Sequence, residues 1–295
     1  MNSLQKKIDF ALVFRVTNAN PNGDPLNGNR PRVDFDGLGE ITDVCIKRKI
    51  RDRLVERYKA LPDNEKTGQA VFVQSDDRKI DGETSLRNRA ESSEHGLGKD
   101  AFKSPKKGEI KKKEDTIIKA CAKWFDVRAF GQVFAFGKSE GSSSVSIPIR
   151  GPVTIQSAFS VEPVTITSTQ ITKSVSGEGD GSERGSDTMG MKHRVDHGIY
   201  RCFGSMNPQL AERTGFSDAD AQVIKEILPK LFENDASTAR PEGSMAVIEV
   251  FWWEHDSKIG RYSSARVHGS LKVETDGSYK IQPQEGLEPE VIEGF

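Results

Sequence analysis

The chain has 295 residues, of which 35% are hydrophobic and 29% charged, with a formal net charge of −1 and three cysteines. This length supports one large or two smaller cores, and no run approaches the roughly 20 apolar residues of a membrane span. A near-neutral charge counts against a freely diffusing, generally basic nucleic-acid binder but leaves room for local basic grooves. Cys45, Cys121 and Cys202 are widely spaced without a CxxC pair, which argues against a disulfide framework or zinc knuckle and for a reducing cytoplasm. The opening residues carry no signal-peptide apolar region.

Ile8, Phe10, Leu12, Phe14 and Val16 alternate with Asp9, Ala11, Val13 and Arg15, the period of a strand. Asn18-Ala19-Asn20-Pro21-Asn22-Gly23-Asp24-Pro25 follows, then Asn27-Gly28-Asn29-Arg30-Pro31-Arg32. Such a loop is held in turns and leaves amides and carbonyls uncovered, which suits a partner with many phosphates and hydrogen-bonding groups. A helix is predicted over 43–59, capped by Thr42, with Val44, Ile50, Leu54, Val55 and Tyr58 on its core side. Lys49, Arg53 and Arg57 form a separate stripe. Lys47, Arg48 and Arg51 flank the apolar side near the helix start, either as a solvated face or as contacts to a phosphate backbone. Asp24 reads as an Asx-turn residue and Asp43 as a first-turn carboxylate.

Residues 70–74 read as a short strand. From Ser75 to about Asp115 periodicity is lost, and the polar, lysine-rich segment reads as a solvated insertion or as one that orders against nucleic acid or a neighbour. Helical spacing returns with Ile117, Ile118, Cys121, Trp124 and Phe125, and the aromatics of 125–136 read chiefly as core. Residues 145–175 are rich in β-formers, with Pro148, Pro152 and Pro163 marking short or edge strands. The Gly-rich run 176–187, followed by a return strand over 198–203, reads as a protruding hairpin with a long tip.

Met189 and Met191 on this hairpin fit either a wedge between bases or packing on a neighbouring core. His193, between Lys192 and Arg194, fits a phosphate or neighbour contact; Gly190 and Gly198 bracket it, so it does not form a helical metal pair with His197. A helix follows Ser217 with Ala221, Ile224, Leu228 and Leu231 as its apolar face, then a buried strand over 246–253 and weak strand signals over 265–267 and 270–273. There is no P-loop, no G-x-S-x-G and no local Cys–His pair. The basic helix and lysine tract contrast with an acidic C-terminal stretch, a polarity that suits head-to-tail stacking along a polyanion. The element order predicts an α+β fold of ferredoxin-like type, as in RNA-recognition folds.

The run 16–25, with Arg30-Pro31-Arg32 and Gly37-Leu38-Gly39-Glu40-Ile41-Thr42-Asp43-Val44-Cys45-Ile46-Lys47-Arg48-Lys49-Ile50-Arg51, resembles the repeated backbone subunit of the type I-C CRISPR surveillance complex, Cascade, of the RAMP superfamily. Asp126-Val127-Arg128-Ala129-Phe130-Gly131 and the later β region share the likeness. The resemblance implies a ferredoxin-like or RRM-like palm, a helical finger and a β-hairpin thumb. It divides the chain into 1–74 (palm, Asn/Gly loop and basic helix), 75–115 (finger), 116–174 (palm), 175–197 (thumb tip) and 198–295 (palm completion and acidic segment).

It further implies a non-catalytic protein that lines the guide spacer and presents it for pairing. RNA contacts are expected at Asn18, Asn20, Asn22, Arg30, Lys47, Arg48, Arg51, Arg128 and Gln132, and on the thumb at Met189, Met191, Lys192, His193 and Arg194. No catalytic residue, metal or other cofactor is expected. The implied partners are CRISPR RNA, target DNA through the guide, further copies in a head-to-tail helical array, a crRNA-processing end-cap subunit and a large subunit, with no membrane and a cytoplasmic location. The alternative is a RAMP-type endoribonuclease processing CRISPR RNA, with His193 or Asp24 as the reacting group.

Overall fold

The computed structural model describes residues 2–103, 110–136, 145–172 and 189–295. Strands β1 (Ile8–Ala19), β2 (Gly23–Asp24), β3 (Arg30–Pro31) and β4 (Leu38–Ile41) lead into helix α1 (Asp43–Ala60). Helices α2 (Leu86–Glu91), α3 (Ile110–Lys123) and α4 (Phe125–Phe130) follow. Strands β5 (Gly131–Phe136), β6 (Val145–Arg150), β7 (Val153–Ile155), β8 (Ala158–Pro163), β9 (Ile166–Thr172) and β10 (Met189–Met206) come next. Helices α5 (Pro208–Thr214) and α6 (Asp218–Ile227), strand β11 (Met245–Glu254), helix α7 (Ser264–Ser270) and strands β12 (Leu271–Val273), β13 (Tyr279–Ile281) and β14 (Glu290–Glu293) close the chain.

The architecture is mixed α/β around an eight-stranded antiparallel sheet in the order β14-β11-β1-β10-β8-β4, with β7 and β9 also paired to β10. The end strands of this order, β14 and β4, are four residues long, and β4 carries a register shift between Leu38 and Glu40. β1 lies between β10 and β11, so every amide along most of its length has a strand partner. Ile8, Phe10, Leu12, Phe14 and Val16 pack with Ile46, Ile50 and Leu54 of α1 and with Ala221 and Ile224 of α6. Ala11 and Val13 on the other face pack with Phe251, Trp253, Val267 of α7 and Leu271 of β12. Both sides of the alternation are therefore interior from Ile8 to Phe14, including Asp9, and Arg15 is exposed.

Thr42 Oγ1 accepts from Cys45 N at 3.3 Å and caps α1 as expected. Ile50, Leu54 and Val55 of the predicted core side are buried, but Val44 is exposed, and Lys49 and Arg53 of the expected basic stripe are buried as well. Lys49 pairs with Asp235 and lies 5.4 Å from the Phe232 ring centre. Burial pushes the Lys49 ammonium down; it would push Asp235 up, but Lys49 and Arg240 hold that carboxyl below its usual range. A buried partner thus overrides the wheel.

A second cluster of Phe72, Ala90, Phe102, Cys121, Trp124, Phe134 and Ile147 joins the segment around α2 to α3 and to a separate two-stranded sheet, β5–β6. Part of the 75–115 insertion therefore supplies core, and β5–β6 stands outside the main sheet. Residues 70–74 do not form the expected strand: Ala70 alone bridges to Trp124, and the amides of Phe72 and Val73 donate to the Asp126 carboxylate at 2.6 and 3.1 Å. Residues 265–267 are helical, with Ser263 capping α7. α5 is not among the elements expected from periodicity.

Arg128 of α4 ties this cluster to α6. Its guanidinium donates to both Asp220 oxygens, at 2.7 and 3.0 Å, and to the carbonyls of Gly68 and Cys121. Its expected RNA contact is corrected: the side chain is buried and its donors are engaged. Asp220 also closes the capping box with Ser217.

Beneath the other face, Asp9 receives His255 Nε2 at 2.9 Å and Lys7 Nζ at 3.2 Å, while His268 Nε2 donates to Gly204 O at 3.1 Å. Burial pushes Asp9 up, but hydrogen bonds from His255 and Ser264 and the Lys7 charge outweigh it and hold the carboxyl below its usual range. Burial holds the His268 imidazole below its usual value despite Asp9.

Two expectations follow from these contacts. Folded His268 resists a proton that the unfolded chain accepts near pH 6.5, so stability falls as pH drops below that value. The slope from one such proton is at most about 1.4 kcal/mol per pH unit, and His268→Asn flattens it in urea titrations between pH 7 and 5; an unchanged slope would remove His268 from this role. Arg128→Ala leaves Asp220 buried without its cation and costs about 3–5 kcal/mol, read from the urea midpoint, and adding Asp220→Asn recovers part of the loss.

Candidate nucleic-acid interface

β10 is 18 residues long, and β1 accompanies it only as far as the Ala19–Val195 pair. From Val195 to Met189 its strand partner is β9, in unbroken register from Ile166 to Thr172. The two strands form a ribbon that leaves the sheet and extends for roughly 20 Å at about 3.3 Å per residue. The Gly-rich tip over 176–187 lies outside the described residues.

Strand alternation divides the expected thumb contacts between two faces. Val195 is buried in the core beneath α1, so Met191, Met189 and His193 share its side. Lys192 and Arg194 lie on the opposite side. Met189 and Met191 are 65% and 55% exposed, enough to meet a partner. The five thumb residues therefore do not form one patch. Two-residue periodicity is the sequence signal that separates them.

The Asn/Gly loop closes over the Met189 side. Arg30 Nη1 donates to Ser168 Oγ at 2.9 Å, and that hydroxyl lies 2.8 Å from His193 Nδ1. This chain joins loop, β9 and β10. Most of the loop's asparagines build its shape. Asn20 is buried and donates to Asn29 O at 2.6 Å. Asn22 Oδ1 accepts from both Thr42 N and Thr42 Oγ1 at 3.0 Å, pinning the loop to the start of α1. Asn18 and Asn29 adopt φ values of 51° and 60°, a left-handed conformation that asparagine tolerates. Asn20 and Asn22 thus make internal bonds that shape the loop, Asn22 staying partly exposed and Asn18 exposed. Asp24 makes the expected turn, accepting from Leu26 N, and pairs with Arg32 at 3.2 Å.

The basic start of α1 is partly neutralised. Lys47 pairs with Asp43 at 3.0 Å and stays half-buried. Arg48 binds Asp52 at 3.2 Å and reaches Asp235 at 3.6 Å. Arg51 donates to Asp126 at 3.0 Å and lies over the Phe130 ring, so it chiefly braces α1 against α4. Gln132 stands on β5 in the separate small sheet and donates to its neighbour Val133 O. Arg30 reaches the ribbon, and Lys192 and Arg194 stand on it, the last paired to Asp196 at 3.4 Å.

Burial pushes the Cys121 thiol up to about 11 and the Cys202 thiol up to about 12, which keeps both protonated at neutral pH. Among the described residues no group of His, Cys, Asp or Glu is arranged to hold a metal ion, and no helix is long and apolar enough to cross a membrane.

Comparison with known proteins bears on the whole chain. A Haloferax volcanii protein described as CRISPR-associated protein Cas7 is 25% identical over 297 residues, spanning 97% of this chain and 80% of the relative. Two solved chains, described as "CRISPR RNA-guided surveillance complex, pre-nicking" and "CRISPR RNA-guided surveillance complex", align at 17% and 16% identity. Their TM-scores are 0.47 and 0.45; the alignments cover 84% and 92% of this chain and 75% and 77% of those. The family model for CRISPR-associated protein Cas7 matches residues 6–290, and the chain belongs to that family.

Proposed function

We propose that this Cas7-family protein is a non-catalytic backbone subunit that binds CRISPR RNA in a surveillance complex and holds the guide for pairing with target DNA. The observation that carries the reading is the family match across residues 6–290. The geometry supports it. A main-chain-rich loop and an exposed ribbon bearing Met189 and Met191 meet on one side of the sheet, joined through Arg30, Ser168 and His193. Cations at the ribbon contact phosphates, and the methionines unstack a base.

In the finer form of this reading, the sheet is a ferredoxin-like palm, the ribbon is the thumb and the segment around α2 is the finger. The order β11-β1-β10-β8 supports the first of these. The complex is type I-C, and the further partners are additional copies in a helical array, an end-cap processing subunit and a large subunit.

The test uses purified protein and single-stranded RNA. Arg30→Ala with Lys47→Ala and Lys192→Ala weakens binding while leaving the melting temperature near wild type. It also flattens the salt dependence by up to about 0.7 in log–log slope for each phosphate that is no longer neutralised. Should the protein instead cleave RNA, with His193→Ala abolishing cleavage but not binding, the endoribonuclease reading replaces this one.

A further inference from the structure

The turn between β3 and β4 presents Phe35 at 110% relative exposure, a large apolar ring with no cover. The turn is tightly built. Asp34 Oδ1 accepts from Asp36 N at 3.0 Å and Leu38 N at 2.8 Å, Asp34 N donates to Leu38 O, and Gly37 supplies a φ of 81°. An ordered turn holding an aromatic ring into solvent is a preorganised knob. Its flanks, Asp34 and Asp36, repel phosphate and so disfavour RNA as its partner.

A matching hole lies elsewhere. An open cavity of about 560 Å³ is lined by Ile118, Ala122 and Val223, with Arg57 and Arg213 among its charged residues. Ile118 is 64% exposed. The cavity's carboxylates are already engaged: Glu212 pairs with Lys258 at 2.6 Å and Asp220 with Arg128. Arg213 has no carboxylate partner among the described residues. The site is therefore apolar with surplus positive charge, complementary to an aromatic ring between two aspartates.

Knob and hole sit at opposite ends of β1. Gly37 O accepts from Val164 N at 3.1 Å, two residues before Ile166, which pairs with Val195 and through it with Ala19, the last residue of β1. Ser217, which lines the hole, bridges to Ser3, and Leu4 N donates to Phe216 O, just before β1 begins at Ile8. Twelve strand residues separate the ends by roughly 40 Å. Copies that lie parallel, as along one RNA strand, bring the knob of each to the hole of the next and join head to tail.

We infer that Phe35 of one copy seats in the Ile118–Val223 cavity of the next, with Asp36 facing Arg213. One ring buries about 150–250 Å², so the contact is weak alone and acts when an RNA holds two copies side by side. The inference deepens the proposed function and rests on it for its setting.

The experiment compares wild type, Phe35→Ala and Ile118→Asp on a short RNA that holds one copy and a long RNA that holds several, by analytical ultracentrifugation. Both variants bind the short RNA within about twofold of wild type but lose about tenfold or more in apparent affinity on the long one. A one-to-one mixture of the two variants restores pairs but no longer arrays, because one variant keeps the hole and the other the knob. Asp36→Arg breaks assembly and Arg213→Asp added in the same chain restores it, a control that leaves the apolar contact intact. Wild-type filling of the long RNA by both single variants overturns the inference. RNA-free protein separates it from the functional reading: a mixture of Phe35→Cys and Ile118→Cys chains forms a disulfide-linked pair at high concentration whether or not RNA binds, and absence of that pair also overturns it.

Discussion

The molecule depends on one strand having two kinds of partner. Val195–Met206 of β10 is locked beside β1, with β7 and β8 along its other edge, while Met189–Val195 continues outward with β9. Along the unbroken β9-paired stretch side chains alternate, so the burial of Val195 fixes which side each residue of the ribbon faces. Sulfur side chains and His193 lie on the helix side; Lys192 and Arg194 lie on the other. The core thus sets the chemistry of a part that has no core of its own. Gly39 shows how tightly the inner region is fitted: a Cβ there would lie 2.1 Å from the Tyr200 hydroxyl.

Where local patterning and tertiary structure agree, the chain is readable. β1, the Thr42 cap, α1, the Ser217 cap and β11 stand where alternation or capping chemistry puts them, while β10 spans the expected 198–203 strand and extends back to Met189. Patterning fails where a side chain from elsewhere supplies the hydrogen bonds of an expected element. Asp126 takes the Phe72 and Val73 amides, and Asp235 draws Lys49 inside. A helical wheel carries no knowledge of a carboxylate 186 positions away. α5 does leave a local trace in punctuation rather than periodicity: Asn207 before Pro208, with Gly215 at the close, is the cap-and-stop grammar of a short helix.

The loop and basic helix illustrate the difference between having a polar group and having it available. Asn20, Asn22, Arg51 and Arg128 belong to the type expected to greet RNA, yet each is directed toward this chain's own backbone or carboxylates. A side chain or amide already bonded within the fold stiffens the loop, as the Asn20, Leu26, Asn29 and Arg32 amides do. Composition measures the supply of such groups; only the fold reveals how many are left over.

The two sheet edges bear on a different problem. Unpaired backbone at a sheet border can recruit another chain by strand addition, and without a stop that growth is unlimited. β4 and β14 offer only four residues each; β4 is interrupted by its register shift, and β14 carries Glu290 and Glu293 at its ends. Short, irregular or charged borders of this kind resist fibrillar growth. The β9–β10 ribbon keeps longer open borders, because beyond the Ala19–Val195 pair β10 has only β9 beside it among the described strands.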